Sequence, residues 1–311
     1  MATAAQPAPA TLRDYKERML RVLVHIQQHL DEALGLEELA AVACFSPYHF
    51  HRVFTGMIGE SVRSHVRRLR LERAATRLKL SPWPVTRIAL EAGYDSHEAF
   101  TRAFKAAFHV SPSRFRSRAA VVARVAPAGV HYHPDQPPRD FRTTRPGGFN
   151  MKVKLERLPD LPVAFMRHVG PYAAVGATWD RLLLELGRLG YLGGDARFIG
   201  VCYDDPEVTP ANKLRYDACV SVATPPAVGG DLGLQTIPGG LYAVTTHFGA
   251  YARLGLTYAK LFGRWLPRSG YALRSTPCLE MYLNDPHSTD PAGLITDIYA
   301  PLTSAGAGPG L

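Results

Sequence analysis

Two sets of side chains in this sequence have the types and spacing to do chemistry. The first lies in Cys278-Leu279-Glu280-Met281-Tyr282-Leu283, which alternates as a strand, with Leu279, Met281 and Leu283 on one face and Glu280 and Tyr282 on the other. The apolar face is expected to pack on helices. If the face of Glu280 is covered, a lone carboxylate is costly to bury unless a cation satisfies it. A cationic, partly aromatic ligand would pair with the acid and stack on tyrosine or tryptophan. A solvent-exposed acid on an open sheet face fits the alternation equally well. The second set is His97, Glu98, Thr101 and Arg102. Behind an N-cap at Ser96 or Asp95, Ala99, Phe100, Ala103 and Phe104 form an apolar stripe at i and i+4, and the four polar residues fall off it.

The elements that must position the second set read as a helix-turn-helix. Residues 85–92 form a short amphipathic helix, and Gly93 stands where a tight turn wants a residue tolerant of positive φ. The pattern occurs twice. Ser46, Phe50, Arg52 and Phe54 match Ser96, Phe100, Arg102 and Phe104 at an offset of 50, while Leu39, Ala40, Ala43 and Phe45 match Ile88, Ala89, Ala92 and Tyr94 at 49. The one-residue difference falls in the turn, where insertions are tolerated best. Between the units, residues 61–80 carry Arg63, Arg67, Arg68, Arg70, Arg73 and Arg77 on a helical period. Some of these belong to a solvated face; others could meet phosphates. A helix of about twenty residues spans ~30 Å, close to the ~34 Å of one duplex turn, so it could set two recognition helices into successive major-groove segments.

A chain of 311 residues is long enough for two ordinary domains. Its formal charge of +9 is uneven: residues 1–120 hold 18 basic and 11 acidic residues, whereas residues 150–302 hold 14 of each. The positive excess therefore travels with the helix-turn-helix repeats, as a polyanionic partner requires. Cys44, Cys202, Cys219 and Cys278 form no CxxC pair, which fits a reduced, cytoplasmic protein and argues against a zinc ribbon. No long apolar run or signal peptide is present, so no membrane association is expected. His25 and His29 lie four apart on a helix expected over residues 15–30, and His131 and His133 form a His-x-His; neither pair has a third ligand nearby, and no metal or cofactor is expected. Residues 1–12 read as disordered, and the Pro- and Gly-rich residues 119–149, with Pro127, Gly129, Pro134, Pro137, Pro138, Pro146, Gly147 and Gly148, as a linker.

A second duplication follows. Arg167-His168-Val169-Gly170-Pro171-Tyr172-Ala173 aligns with Thr246-His247-Phe248-Gly249-Ala250-Tyr251-Ala252 at an offset of 79, carrying Trp179 onto Tyr258 and Tyr203 onto Tyr282. Gly190-Tyr191 meets Gly270-Tyr271, and Asp205-Pro206 meets Asp285-Pro286, after a slip of one. Each copy reads strand, helix, strand, strand. The expected fold is multidomain: an all-α tandem helix-turn-helix domain of seven helices, then an α+β domain of two duplicated units sharing one antiparallel sheet with helices on one side. At an offset of 79 the position of Glu280 is Val201, so the carboxylate is present in one half only, beside aromatics from both.

Residues ~13–118 resemble the AraC/XylS family of bacterial transcription regulators. The resemblance rests on both helix-turn-helix units, on Gly93-Tyr94-Asp95-Ser96 followed by Phe100-Thr101-Arg102-Ala103-Phe104-Lys105, and on the closing Ser111-Pro112-Ser113-Arg114-Phe115-Arg116. It implies that base-reading residues fall on Tyr48, His51 and Arg52 in the first unit and on His97, Glu98, Thr101 and Arg102 in the second. Arginine can bond guanine bidentately and threonine can touch a thymine methyl; Glu98 either accepts from cytosine or serves as a cap or to orient an arginine. Residues ~150–302 resemble the GyrI-like effector-binding domain found at the C-terminal end of Rob-type regulators, through Arg167-His168-x-Gly170-Pro171-Tyr172, Ile237-Pro238-Gly239-Gly240-x-Tyr242-Ala243, His247-x-Gly249-x-Tyr251 and Pro277-x-x-Glu280-x-Tyr282. That resemblance implies Glu280 as the anchor of a cationic, lipophilic ligand, with Trp179, Tyr203 and Tyr282 as wall residues. The function implied is a ligand-responsive transcription regulator, an activator by family analogy, with promoter DNA, a small-molecule effector and RNA polymerase as partners. Two alternatives stand beside it. One is a hydrolase in which Glu280 with Tyr282 or Tyr203 works as an acid/base pair; no nucleophile elbow, metal cluster or phosphate loop is present, so no catalytic residue is assigned. The other is a C-terminal module that binds protein.

Overall fold

The computed structural model describes residues 10–117, 126–143 and 151–303, apart from 205, 207, 208, 225, 227 and 228. Asp205, Pro146, Gly147 and Gly148 therefore lie outside the described residues. The helical part comprises α1 (Ala10–Gln28), α2 (Leu36–Val42), α3 (Pro47–Ile58), α4 (Val62–Leu80), α5 (Val85–Glu91), α6 (His97–Phe108) and α7 (Pro112–Ser117). α1 begins earlier than its apolar stripe predicts, so residues 10–12, expected to be disordered, are helical. Local chemistry fixes the starts. Pro47 sits in the first turn of α3, Ser61 Oγ accepts from Ser64 N to cap α4, and Ser96 Oγ accepts from Ala99 N to cap α6. The two turns use the same left-handed backbone, held by Gly93 at φ 79° in the second unit and by Cys44 at φ 52° in the first.

The helical part has two cores. α1 to α3 bury Met19, Leu23, Leu39, Phe50 and Phe54, and α4 to α7 bury Leu78, Ile88, Phe100, Phe104 and Phe115. Several arginines of α4 are structural rather than DNA-facing. Arg68 is buried, ion-paired to Glu60 at 2.6 Å and Glu72 at 3.0 Å. Arg70 donates to the carbonyls of Leu30 and Glu32, and Arg73 pairs with Asp31. Arg63 and Arg67 remain exposed.

The second part is one eight-stranded sheet: β1 (Lys154–Leu158), β2 (Leu161–Val169), β3 (Phe198–Cys202), β4 (Arg215–Ser221), β5 (Gly233–Ile237), β6 (Gly240–Phe248), β7 (Cys278–Tyr282) and β8 (Ile295–Pro301). Its order is β1-β6-β8-β7-β3-β4-β2-β5, and every pairing is antiparallel. Each duplicated unit has one strand more than expected at its start, β1 and β5. The units meet where β3 pairs with β7. α8 (Gly176–Arg188) belongs to the first unit; α9 (Leu254–Lys260), a π-helical stretch Leu261–Trp265 and α10 (Leu266–Ser269) belong to the second.

The facing of β7 is the reverse of the expectation. Leu279 and Met281 pack with Val163, Ile199, Val201 and Tyr299, a cluster built from strand and strand-edge residues as the sheet curls on itself. The helices cover the face of Glu280 and Tyr282. The reason is curvature: a strongly twisted eight-stranded sheet can bury one face against itself, so an apolar face needs no helix.

The two parts share a continuous core, in which Phe50 and Met57 of α3 belong to the same buried cluster as Tyr258, Phe262 and Leu266. The described linker residues are ordered along the helical part. Gln27 Nε2 donates to the carbonyls of His133 and Gln136, Arg68 donates to the Val130 carbonyl, and Tyr132 N donates to Glu72.

Candidate functional site

Glu280 sits in the middle of β7, beside β3 and β8, and is 7% exposed. Its two oxygens are held separately. Tyr258 of α9 donates to Oε1 and Tyr282 donates to Oε2, each at 2.9 Å. Because Tyr282 spends its proton on Glu280, the 2.8 Å contact between Tyr282 and Tyr216 has Tyr216 as donor. Tyr216 in turn accepts from Trp179 Nε1 of α8 at 3.0 Å. A directed relay thus runs from the indole through two phenols to the carboxylate, and its parts come from both duplicated units. Directly across the ladder from Glu280 is Gly200, where a Cβ would lie 2.4 Å from the Tyr216 hydroxyl and 2.7 Å from that of Tyr282. The relay occupies the space a side chain would take.

A cation from the other part of the chain meets this site through Tyr258. α3 lies against α9 and the π-helical stretch, its Gly56 so close to Gly263 that a Cβ on Gly263 would fall 2.1 Å from the Gly56 carbonyl atoms. This approach sets α3 against Tyr258 and Phe262 at the edge of the site. The Arg52 guanidinium stacks over the Tyr258 ring, 4.2 Å from its centroid, and Arg52 is 8% exposed. Burial raises the phenols of Tyr172 and Tyr258 and the thiols of Cys202 and Cys278; at all four the charge of Glu280 adds to the rise and that of Arg52 opposes it. The two charges therefore share one buried environment, and burial is strong enough to push the Cys278 thiol up to about 11. Neighbouring residues of α3 are fixed as well. His49 donates from Nε2 to the Arg274 carbonyl at 3.0 Å and stacks on Phe262. Burial, then the Arg52 charge, pushes its imidazole down to about 3, so it is neutral. Tyr48 meets Tyr203 edge-on at 6.4 Å.

Of the residues expected to line the ligand site, the structure brings together Glu280, Tyr282 and Trp179. Tyr203 is elsewhere: it packs with the opposite sheet face and donates to Asp217 at 2.9 Å, next to the bidentate Arg167–Asp217 pair. Val201 points to that face too. β1 and β2 repeat in β5 and β6 at an offset of 79, but β3 and β4 repeat in β7 and β8 at 80, so the counterpart of Glu280 is Gly200 and that of Tyr203 is Leu283. Tyr216, Tyr258, Cys202, Cys278 and Arg52 were not expected in the site; only Tyr258 carried a signal, as the repeat partner of Trp179.

The two candidate DNA-reading helices are not equivalent. On α6, His97, Glu98 and Arg102 are exposed and Thr101 is half-buried. On α3, His51 and Arg52 are buried and Tyr48 is half-buried. The expectation that both helices present their polar faces to a duplex does not hold in this arrangement, because the α+β part covers α3.

Comparison with known proteins matches residues 39–118 to a helix-turn-helix domain model and residues 151–303 to the GyrI-like small molecule binding domain. The right origin-binding protein of Escherichia coli is 37% identical over 95 residues, which is 30% of this chain and 33% of that protein. The chain's match thus spans about a third of that relative's length. The Tn10 TetD protein of Escherichia coli is 38% identical over 95 residues, 30% of this chain and 69% of that protein. A DNA gyrase inhibitor of Edwardsiella piscicida is 33% identical over 140 residues, 43% of this chain and 88% of that protein. Among the described residues no helix is long and apolar enough to cross a membrane. The chain belongs to the AraC-type helix-turn-helix proteins that carry a C-terminal GyrI-like domain.

Proposed function

We propose that this chain is a sequence-specific DNA-binding transcription regulator whose GyrI-like domain takes a small lipophilic cation, with Glu280 as the anchor and Tyr258, Tyr282 and Trp179 as the aromatic wall. The observation that carries this reading is the buried Glu280 carboxylate, oriented by two phenols beside a ring on which a guanidinium is already stacked. A carboxylate so desolvated favours a cation, and the aromatic faces supply cation–π attraction without demanding water. The basic helical part supplies the DNA contact, with His97, Glu98, Thr101 and Arg102 of α6 reading bases. An activating role, with RNA polymerase as partner, follows the family analogy.

Titration of the full chain with tetraphenylphosphonium, followed by tryptophan fluorescence, tests the ligand half. Saturable binding that Glu280→Gln weakens tenfold or more, about 1.4 kcal/mol, supports the reading; binding indifferent to the substitution rejects the charge-pairing role. Selection of duplexes from a random library tests the DNA half, with recovery of a defined motif as the expected result.

A further inference from the structure

Arg52 and Arg102 are the same residue in two copies of one motif, yet one is exposed and the other is buried in the GyrI-like domain beside Glu280. We propose that Arg52 is a tethered occupant of the effector site: α3 docked on the GyrI-like domain and a cationic effector bound there exclude one another, and effector binding frees α3 to enter DNA. The inference deepens the proposed function and rests on it for the ligand's charge. Three features carry it. The guanidinium already uses the Tyr258 face that a lipophilic cation would use. The docked helix closes the site, leaving Glu280, Tyr258 and Cys278 buried. Tyr48 and Arg52, which would face the groove, meet Tyr203 and Tyr258 of the GyrI-like domain, and His51 beside them is buried. One surface of α3 thus serves two partners, and only one at a time.

The Gly56–Gly263 contact gives a way to separate the states without altering the DNA-reading residues. Gly263→Ala places a methyl 2.1–2.3 Å from Gly56 backbone atoms, and Gly56→Ala places one 2.6 Å from Ala259 and Gly263 backbone atoms, so either forces α3 off. Gly56→Ala also strengthens the freed helix, since alanine is the better helix former. A ligand whose competent state is rarely populated binds weakly in proportion to that population, and opening the state removes the penalty.

The experiment uses the full chain, tetraphenylphosphonium in equilibrium dialysis, and a duplex selected as above in fluorescence anisotropy at fixed salt. Expected are a tenfold or greater gain in cation affinity in Gly263→Ala, a similar gain in its DNA affinity without cation, and a cation-stimulated DNA affinity in wild type that the variant has lost. Gly56→Ala repeats the test from the other side of the contact. Wild-type affinities for both cation and DNA in two folded variants would overturn the proposal. If no form binds the cation while both variants gain DNA affinity, the cation reading fails and the docking inference stands. If the cation binds wild type and variants equally, the ligand reading stands and the exclusion fails.

Discussion

The Arg52 guanidinium lies 4.2 Å from the centroid of the Tyr258 ring, and the hydroxyl of that ring donates to Glu280 at 2.9 Å. A residue of the helix-turn-helix part and the buried acid of the GyrI-like domain are thus joined through one side chain.

In the proposed account Glu280 serves two alternatives, the docked Arg52 through Tyr258 and the bound cation directly. Glu280→Gln should weaken both: the cation loses its counter-charge, and the Tyr258 ring on which Arg52 stacks loses the carboxylate that orients its hydroxyl. The expected phenotype is DNA affinity raised without effector and indifferent to it. Anisotropy with and without tetraphenylphosphonium checks this; a variant that binds DNA as wild type does, and still responds, contradicts it.

The two repeated arginines should differ in what they contribute to DNA binding. Without effector, Arg102→Ala should weaken binding by about 1–3 kcal/mol, the usual cost of losing a bidentate base contact. Arg52→Ala should not weaken it and, by removing the occupant, should raise cation affinity. Equal losses for the two substitutions in effector-free protein would mean that α3 is already on the DNA.

Acid should loosen the docked state through His49. Docked, its imidazole is held down to about 3, whereas released it returns to about 6.5. The docked form therefore binds fewer protons below pH 6.5, so docking is at full strength above that pH and weakens as pH falls toward 3. The limiting slope is about 1.4 kcal/mol per pH unit. The groups facing His49 are Tyr48 and Arg52 on its own helix, the Arg274 and Thr276 backbone, the Cys278 thiol and the Phe262 ring. The ratio of tetraphenylphosphonium affinities in Gly263→Ala and wild type isolates docking, since titrations common to both cancel. That ratio should shrink by about fivefold between pH 6.5 and 5.5 and stay nearly flat above 7; His49→Gln should abolish the slope.

Gly200 keeps space for the relay of hydroxyls. Gly200→Ala sets a methyl against the Tyr216 and Tyr282 hydroxyls. Overpacking of this kind costs about 1–3 kcal/mol, so the urea midpoint should fall and cation affinity should fall with it. Unchanged unfolding would show that the two phenols can step aside, and that the relay does not hold Glu280.

Much of this was legible in the chain. The offset of 50 between the Phe50-x-Arg52-x-Phe54 and Phe100-x-Arg102-x-Phe104 segments set out both helix-turn-helix units, since local capping and an apolar stripe suffice to fix a helix. The alternation around Glu280 placed it with Tyr282 on one face. What failed was register and facing. A one-residue slip in the repeat moved Val201 and Tyr203 to the wrong side of the sheet, because the side-chain period of a strand is two and a shift of one exchanges faces. The role of Arg52 was invisible for a different reason. Its helix looks like any recognition helix, and burial by a segment more than 200 residues on leaves no local pattern except two glycines, Gly56 and Gly263, that only the packed structure brings together.

The most direct test of the account is a hydroxyl-radical footprint on a selected duplex, at the lowest protein concentration that gives full protection. Without cation, the account predicts one protected patch, from α6. With saturating tetraphenylphosphonium it predicts a second patch about one helical turn, ~10 base pairs, away, as α3 enters the adjacent major groove. Two patches already present without cation, unchanged on its addition, would contradict it.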